Sequence, residues 1–286
     1  MNDHHPTLVE LNASAVPRNV FCTHTVGGGL GGYKMLAARL EDAAKVYGLE
    51  DPSIYADESF ASVPELAALH VETIQQIQPH GPYLLFGTCS GGPLAYEIAC
   101  QLAMQGEVVE RVVMFGSHDQ GGFDPAHTDR HRFLVEYLFE NYGMRLSDLD
   151  WDGFETMDRG SVCAIVTDQI VARNKKHRLP DPIWIRKYLE SLCMTRAATS
   201  RYRAPKSALN IDLYRQPRGE RPADAHREWC DWDDLTYGTL TVIPHAPALR
   251  PGDDILADPH LEAIVASLRQ NALVGVSRVA DIQEKT

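Results

Sequence analysis

Pro82-Tyr83-Leu84-Leu85-Phe86-Gly87-Thr88-Cys89-Ser90-Gly91-Gly92 is the stretch that decides the fold. An apolar run of strand character leads into a glycine-flanked turn. Leu94-Ala95-Tyr96-Glu97-Ile98-Ala99-Cys100-Gln101-Leu102 then follows with helical spacing of apolar positions. Strand, tight turn and helix in that order form a nucleophile elbow of the G-x-S-x-G type, with Cys in place of the usual Ser. Gly87, Gly91 and Gly92 leave room for the backbone to double back, so that Cys89 is presented at the turn. A cysteine at an ordinary strand end is usually a small buried apolar residue; the elbow around Cys89 makes it the candidate nucleophile.

Outward from the elbow, strands and amphipathic helices alternate through the first 117 residues, an order that implies a parallel sheet. Asn19 to Thr23 reads as a strand, Tyr33 to Val46 as a helix and Val63 to Gln78 as a second helix. Ser62 and Glu65 supply a capping box at the start of that second helix. Tyr83 to Thr88 and Arg111 to Ser117 are strands on either side of the elbow helix. From about 127 to 204 the pattern is helical, rich in aromatic and charged residues, which is what a lid inserted over an active site looks like. Strands resume at Ala208 to Tyr214 and Leu240 to Ile243, and a helix from Pro259 to Ala272 closes the domain. The expected organisation is a loose tail over 1–17, one domain over 18–274 and a second tail over 275–286.

Composition removes other classes. A chain of 286 residues that is 44% hydrophobic can bury a core as one large domain. It has no apolar run of bilayer length and no basic-then-apolar leader, which predicts a cytoplasmic protein without a membrane partner. Six cysteines without a C-x-x-C pair fit a reducing compartment and give no metal site. A net charge of -12 argues against nucleic acid as a partner, since phosphate backbones are held by clustered Lys and Arg.

Several separated blocks resemble one family, the thioesterase domains of nonribosomal peptide and polyketide synthetases and their free-standing relatives. Phe21-Cys22-Thr23-His24-Thr25-Val26-Gly27-Gly28-Gly29 is similar to the family's strand and His-Pro-x-Gly-Gly loop. Gly81 to Ala99 resembles its central segment almost position by position, and Ile185 to Pro205 resembles the end of its lid. The resemblance implies an α/β-hydrolase fold: a mostly parallel sheet, helices on both faces and an inserted helical lid. It also implies acyl chemistry on a carrier protein's phosphopantetheine arm, with no cofactor of the enzyme's own.

The rest of the catalytic set departs from the family. Its Asp position at the end of the strand after the elbow helix falls on Gly116, so the acid is expected at Asp119, three residues on. His245 matches the family's spacing from His to the following Leu249, whereas Pro251-Gly252-Asp253 matches its Pro-Gly-Asp lead but puts Asp254 at the histidine position. His245 is the expected base, because a thiol without an imidazole nearby is mostly protonated at neutral pH; His118 is the reserve. The oxyanion hole is expected from the backbone N–H of Ser90 together with that of Thr25 or Val26. His24, beside the glycine run, reads as a loop-fixing residue.

Two rival classes compete with this reading. Gly27, Gly29 and Gly32 spell G-x-G-x-x-G after a strand, the pattern of a dinucleotide site, but Glu50 and Asp51 read as a polar loop before Pro52 and not as a strand end. A relative that only docks a carrier protein would explain the displaced acid, and the intact Cys89 counts against it. Between transfer and hydrolysis the thiol decides. Exchange between two thioesters is nearly balanced in energy, whereas water attack needs the base that looks displaced here. The sequence thus predicts an acyl or aminoacyl transferase working between carrier proteins, with a hydrolysing or cyclising thioesterase as the alternative.

Overall fold

The computed structural model describes residues 7–55, 60–117, 156–173, 181–215, 232–244 and 255–273. Seven strands form one sheet: β1 (Leu8–Glu10), β2 (Asn19–Thr23), β3 (Lys45–Leu49), β4 (Tyr83–Thr88), β5 (Val109–Phe115), β6 (Ile211–Arg215) and β7 (Leu240–Pro244). Their order is β1-β3-β2-β4-β5-β6-β7, and every pair is parallel except β1 with β3. The helices are α1 (Tyr33–Arg39), α2 (Val63–Ile77), α3 (Gly91–Met104), α4 (Arg159–Arg173), α5 (Pro182–Arg201) and α6 (His260–Asn271). This is the expected α/β architecture, with the elbow strand β4 at the centre of the sheet.

Alternation along the strands divides the core into two layers. Leu85, Val112, Met114, Ile211 and Leu213 face α2 and α3, in a cluster that also takes in Tyr96 and Trp232. Leu84, Phe86, Val113, Phe115 and Tyr214 face the other way, against α1 and α6. Helices therefore cover both faces. A third cluster, built from Val162, Val166, Ile170, Ile185, Leu189 and Leu192, joins α4 to α5 and is the core of the lid.

The structure corrects three expectations. The helix expected over Tyr33 to Val46 ends at Arg39, and Lys45–Leu49 is the strand β3, paired along its length with β2. Glu50 and Asp51 therefore do follow a strand end. A lysine and a glycine within a five-residue strand weakened its signal, and burial between two neighbours overrides that weakness. The supposed tail over 1–17 includes β1, whose three residues are too few to read as a strand by alternation. The capping box forms with a shift: Ser62 Oγ accepts from Glu65 N at 3.3 Å, while Glu65 Oε2 accepts from Ala61 N instead of Ser62 N.

Candidate active site

Cys89 sits between β4 and α3 with φ of +50°, the only non-glycine residue at positive φ among the described residues. That conformation costs a β-carbon-bearing residue of order 1–3 kcal/mol, and the surroundings enforce it. Cys89 N donates to Phe115 O at 3.0 Å, Gly92 N donates to Cys89 O at 3.2 Å, and Ser117 Oγ donates to the same carbonyl at 2.6 Å. The turn is fixed from both sides, and its side chain is left exposed.

The glycines of the elbow answer to space. A β-carbon on Gly87 would stand 2.6 Å from Gly91 O, one on Gly91 2.7 Å from His24 O, and one on Gly92 1.8 Å from Ser117 Oγ. The start of α3 is thus pressed against the end of β2 and the end of β5. Thr23 Oγ1 ties this junction together by donating to Phe86 O and Gly91 O.

Desolvation pushes the Cys89 thiol above its ordinary value, because protein atoms crowd the sulfur even though one side is open. Two groups oppose that shift: the neighbouring Ser90 N–H and the positive charge of Arg196 on α5. The oxyanion reading calls on this same N–H as a donor. Thr25 and Val26 follow directly on His24, whose carbonyl abuts Gly91; Val26 packs on the lid core.

Gly116 lies one residue past the end of β5 with φ of +56°, its N donating to Tyr214 O at 2.8 Å. Among the described residues a β-carbon there would meet Ile255 Cδ1 alone, at 3.8 Å, and would sit on strained backbone. Asp119, His118 and His245 lie outside the described residues. Among the described residues no group of three His, Cys, Asp or Glu side chains is arranged to hold a metal ion. No helix there is long and apolar enough to cross a membrane.

Sequence reasoning missed two residues that build the site. Ser117 holds the Cys89 carbonyl, and its own carbonyl receives Trp232 Nε1 at 3.4 Å. Asp51 is buried after β3; its Oδ1 accepts from Ser53 N at 2.9 Å and its Oδ2 from Ser191 Oγ of α5 at 2.6 Å, which ties the lid to the sheet. An Asx-type turn before Pro52 was the one available signal for Asp51.

The first two glycines of the run are packed against α5 and the turn after β3. A β-carbon on Gly27 would stand 2.2 Å from the Tyr188 ring of α5, and one on Gly28 2.5 Å from Ile54. Among the described residues a β-carbon on Gly29 would meet nothing within 4 Å, and an acidic residue does follow β3.

Beside the elbow, α2, α3 and α5 line a narrow open cleft. His24, Asp51, Ser90 and Thr199 are among its lining residues, together with Leu66 and Leu94.

Residues 18–148 match the family model described as the thioesterase domain. Indigoidine synthase of Dickeya dadantii is 36% identical over 108 residues, which are 37% of this chain and 7% of that protein. Thioesterase pytI of Aspergillus terreus is 36% identical over 111 residues, 37% of this chain and 36% of that protein. The chain thus spans well under two thirds of these relatives. Among solved structures, the NocB thioesterase domain from the nocardicin cluster aligns with a TM-score of 0.61 at 25% identity, covering 92% of this chain and 97% of that one. The four-domain nonribosomal peptide synthetase AB3403 aligns with a TM-score of 0.73 at 24% identity over 92% of this chain and 20% of that one, a likeness of fold. The mostly parallel sheet and its two helical layers are those of the α/β-hydrolase fold.

Proposed function

Because residues 18–148 match the thioesterase-domain family model, we propose that this chain transfers a thioester-bound acyl or aminoacyl group between carrier-protein phosphopantetheine arms by way of Cys89. The observation that carries this reading is a thiol in the strained, glycine-enclosed turn of the elbow, at φ of +50° and open to solvent on one side. In this family's elbow a nucleophile is what such a turn presents.

The Cys89 thiolate attacks the thioester carbonyl carbon. The tetrahedral oxygen takes the Ser90 N–H together with an N–H from Thr25 or Val26, and the bond to the phosphopantetheine sulfur then breaks. The released thiolate takes the proton that Cys89 gave up, carried by His245, with Asp119 orienting the imidazole and His118 as the reserve base. A second carrier thiol reverses the sequence and frees Cys89. One thioester is exchanged for another, so no cofactor is needed and the step stays near balance. The relatives include synthases and a nonribosomal peptide synthetase, and this supports carrier proteins as donor and acceptor in natural-product assembly.

Intact-mass spectrometry after mixing with an acyl-loaded carrier tests the reading. A wild-type adduct that disappears in Cys89→Ala, and that moves to an unloaded second carrier faster than it hydrolyses, is the expected result. An adduct that persists in Cys89→Ala places the nucleophile elsewhere. Rapid release as free acid, indifferent to added carrier, assigns a hydrolysing thioesterase instead.

A further inference from the structure

The lid core holds two cysteines, one on each of its helices. Cys163 opens a stripe on α4 that continues through Val166 and Ile170, and Cys193 closes a stripe on α5 that runs through Ile185 and Leu189. All six residues belong to the lid core. Residues 174–181 are all that connects α4 to α5, and so short a connection makes packed helices antiparallel. Ile170 and Ile185 thus belong to one end of the hairpin, and Cys163 and Cys193 to the other. The lengths match, since Cys163 to Ile170 rises about 10 Å and Ile185 to Cys193 about 12 Å. The start of α4 indeed lies against the middle of α5: a β-carbon on Gly160 would stand 4.0 Å from Glu190 Oε1. Both thiols are free and buried, Cys163 with none of its surface exposed and Cys193 with 8%. Each governs the titration of the other. The adjoining Cys163 brings the Cys193 thiol below its ordinary value against the opposing burial, the guanidiniums of Arg159 and Arg196 add to the effect, and Glu190 resists it. The same closeness, together with burial, pushes Cys163 up.

A thiol with thiolate character, a slight opening to solvent and a second thiol beside it is the arrangement that peroxides oxidise reversibly. At Cys22 and Cys100 burial is the dominant influence, and it pushes both thiols up, Cys100 to about 12. We propose that Cys163 and Cys193 are a reversible oxidation site, at which hydrogen peroxide converts the two thiols to a disulfide that staples α4 to α5. The Cys193 thiolate attacks a peroxide oxygen; the S–O bond forms, the O–O bond breaks, and the departing hydroxide takes up the proton that Cys193 shed and leaves as water. Cys163 then gives up its proton, and its sulfur attacks the sulfenic sulfur of Cys193. The S–S bond forms, the S–O bond breaks and the oxygen leaves as a second water. Two thiols lose two electrons, and one hydrogen peroxide becomes two waters. A dithiol reductant reverses the change by exchange. The staple falls in the helix whose Ser191 bonds Asp51 and whose Tyr188 lies over Gly27, so oxidation stiffens the lid where it meets the sheet. This site does not depend on the reading of Cys89.

Peptide mapping of the folded protein after treatment with hydrogen peroxide tests it, with the remaining thiols blocked by iodoacetamide and no reduction step. The expected result is a Cys163–Cys193 crosslink, about 2 Da lighter than the two thiol peptides together, that is lost on treatment with dithiothreitol. It should form at least about tenfold faster than Cys22 or Cys100 is oxidised. The same crosslink is expected in Cys89→Ala, which removes the exposed competing thiol. In Cys163→Ser, Cys193 should stop at the sulfenic acid and be captured by dimedone. Hydrogen exchange over 182–201 should slow when the wild type is oxidised, and peroxide should leave it unchanged in Cys193→Ser. Recovery of Cys163 and Cys193 as thiols, or oxidation of them no faster than of Cys22 and Cys100, overturns the site. A crosslink of either one to a different cysteine overturns it as well.

Discussion

At position 92 the chain has no room for a methyl group. A β-carbon there would overlap Ser117 Oγ at 1.8 Å and Ser117 Cβ at 2.5 Å, and Ser117 cannot retreat without releasing the Cys89 carbonyl. Gly92→Ala should therefore destabilise the fold by about 1–3 kcal/mol in denaturant unfolding. Adding Ser117→Gly should recover part of that loss, and strict additivity of the two changes would show that the contact is not the cause. The thiol offers a second measurement. Burial holds Cys89 mostly protonated at neutral pH, so single-turnover loading should rise with pH for as long as the thiolate fraction grows. Arg196→Met removes a charge that pulls the other way, and should move the midpoint of the rate profile to higher pH. An unchanged midpoint would mean that the guanidinium does not reach the thiolate. Gly116→Asp places a carboxylate where the family has one; its φ of +56° costs of order 1 kcal/mol for a residue type that tolerates this region comparatively well. Pre-formed acyl-enzyme should then hydrolyse faster, with transfer to carrier less affected.

Among the elements, α5 does most to shape the site, and long-range contacts hold it. Ser191 reaches Asp51 across 140 residues, Tyr188 lies over Gly27, and Tyr202 Oη, just past the helix, donates to Glu97 Oε2 of α3 at 2.7 Å in a buried position. Tyr202→Phe leaves a buried carboxylate oxygen without that donor and should cost about 1–3 kcal/mol. Gln101 Nε2, at 2.9 Å from Glu97 Oε1, keeps the other oxygen satisfied. Hydrogen exchange across 182–201 should rise in this variant while β4 and β5 stay protected, if the helix opens as a unit. The same contacts explain what the sequence hides. The elbow is legible because strand, turn and helix are contiguous, and the cap at Ser62 because it spans three residues. Nothing local marks Ser191 as a partner of Asp51, or Ser117 as the support of a carbonyl 28 residues earlier. β3 escapes because Gly48, which lets Leu30 pack at 2.1 Å from where a β-carbon would be, breaks the apolar run that marks a buried strand.

The whole molecule depends on a sheet whose order interleaves distant parts of the chain. Arg111 Nη1 on β5 and Asp212 Oδ1 on β6 pair at 2.6 Å, joining the part before the lid to the part after it, with Asp212 fully buried. Arg111→Met strands that carboxylate and should cost about 3–5 kcal/mol in unfolding experiments; a near-neutral result would show the charge to be hydrated. At the opposite edge, β1 pairs antiparallel with Lys45–Leu49, while Leu11 N donates to Val46 O and Glu50 N to Thr7 O. Asn12 clamps the same margin, donating to Ala37 O and Ala44 O and accepting from Val46 N. A chain trimmed to begin at residue 18, where the family match begins, would lose this selvedge. It would carry a ribbon of unsatisfied amides along β3, ready to zip onto the same ribbon of another molecule, and the trimmed protein should scatter light at concentrations where the full chain stays clear.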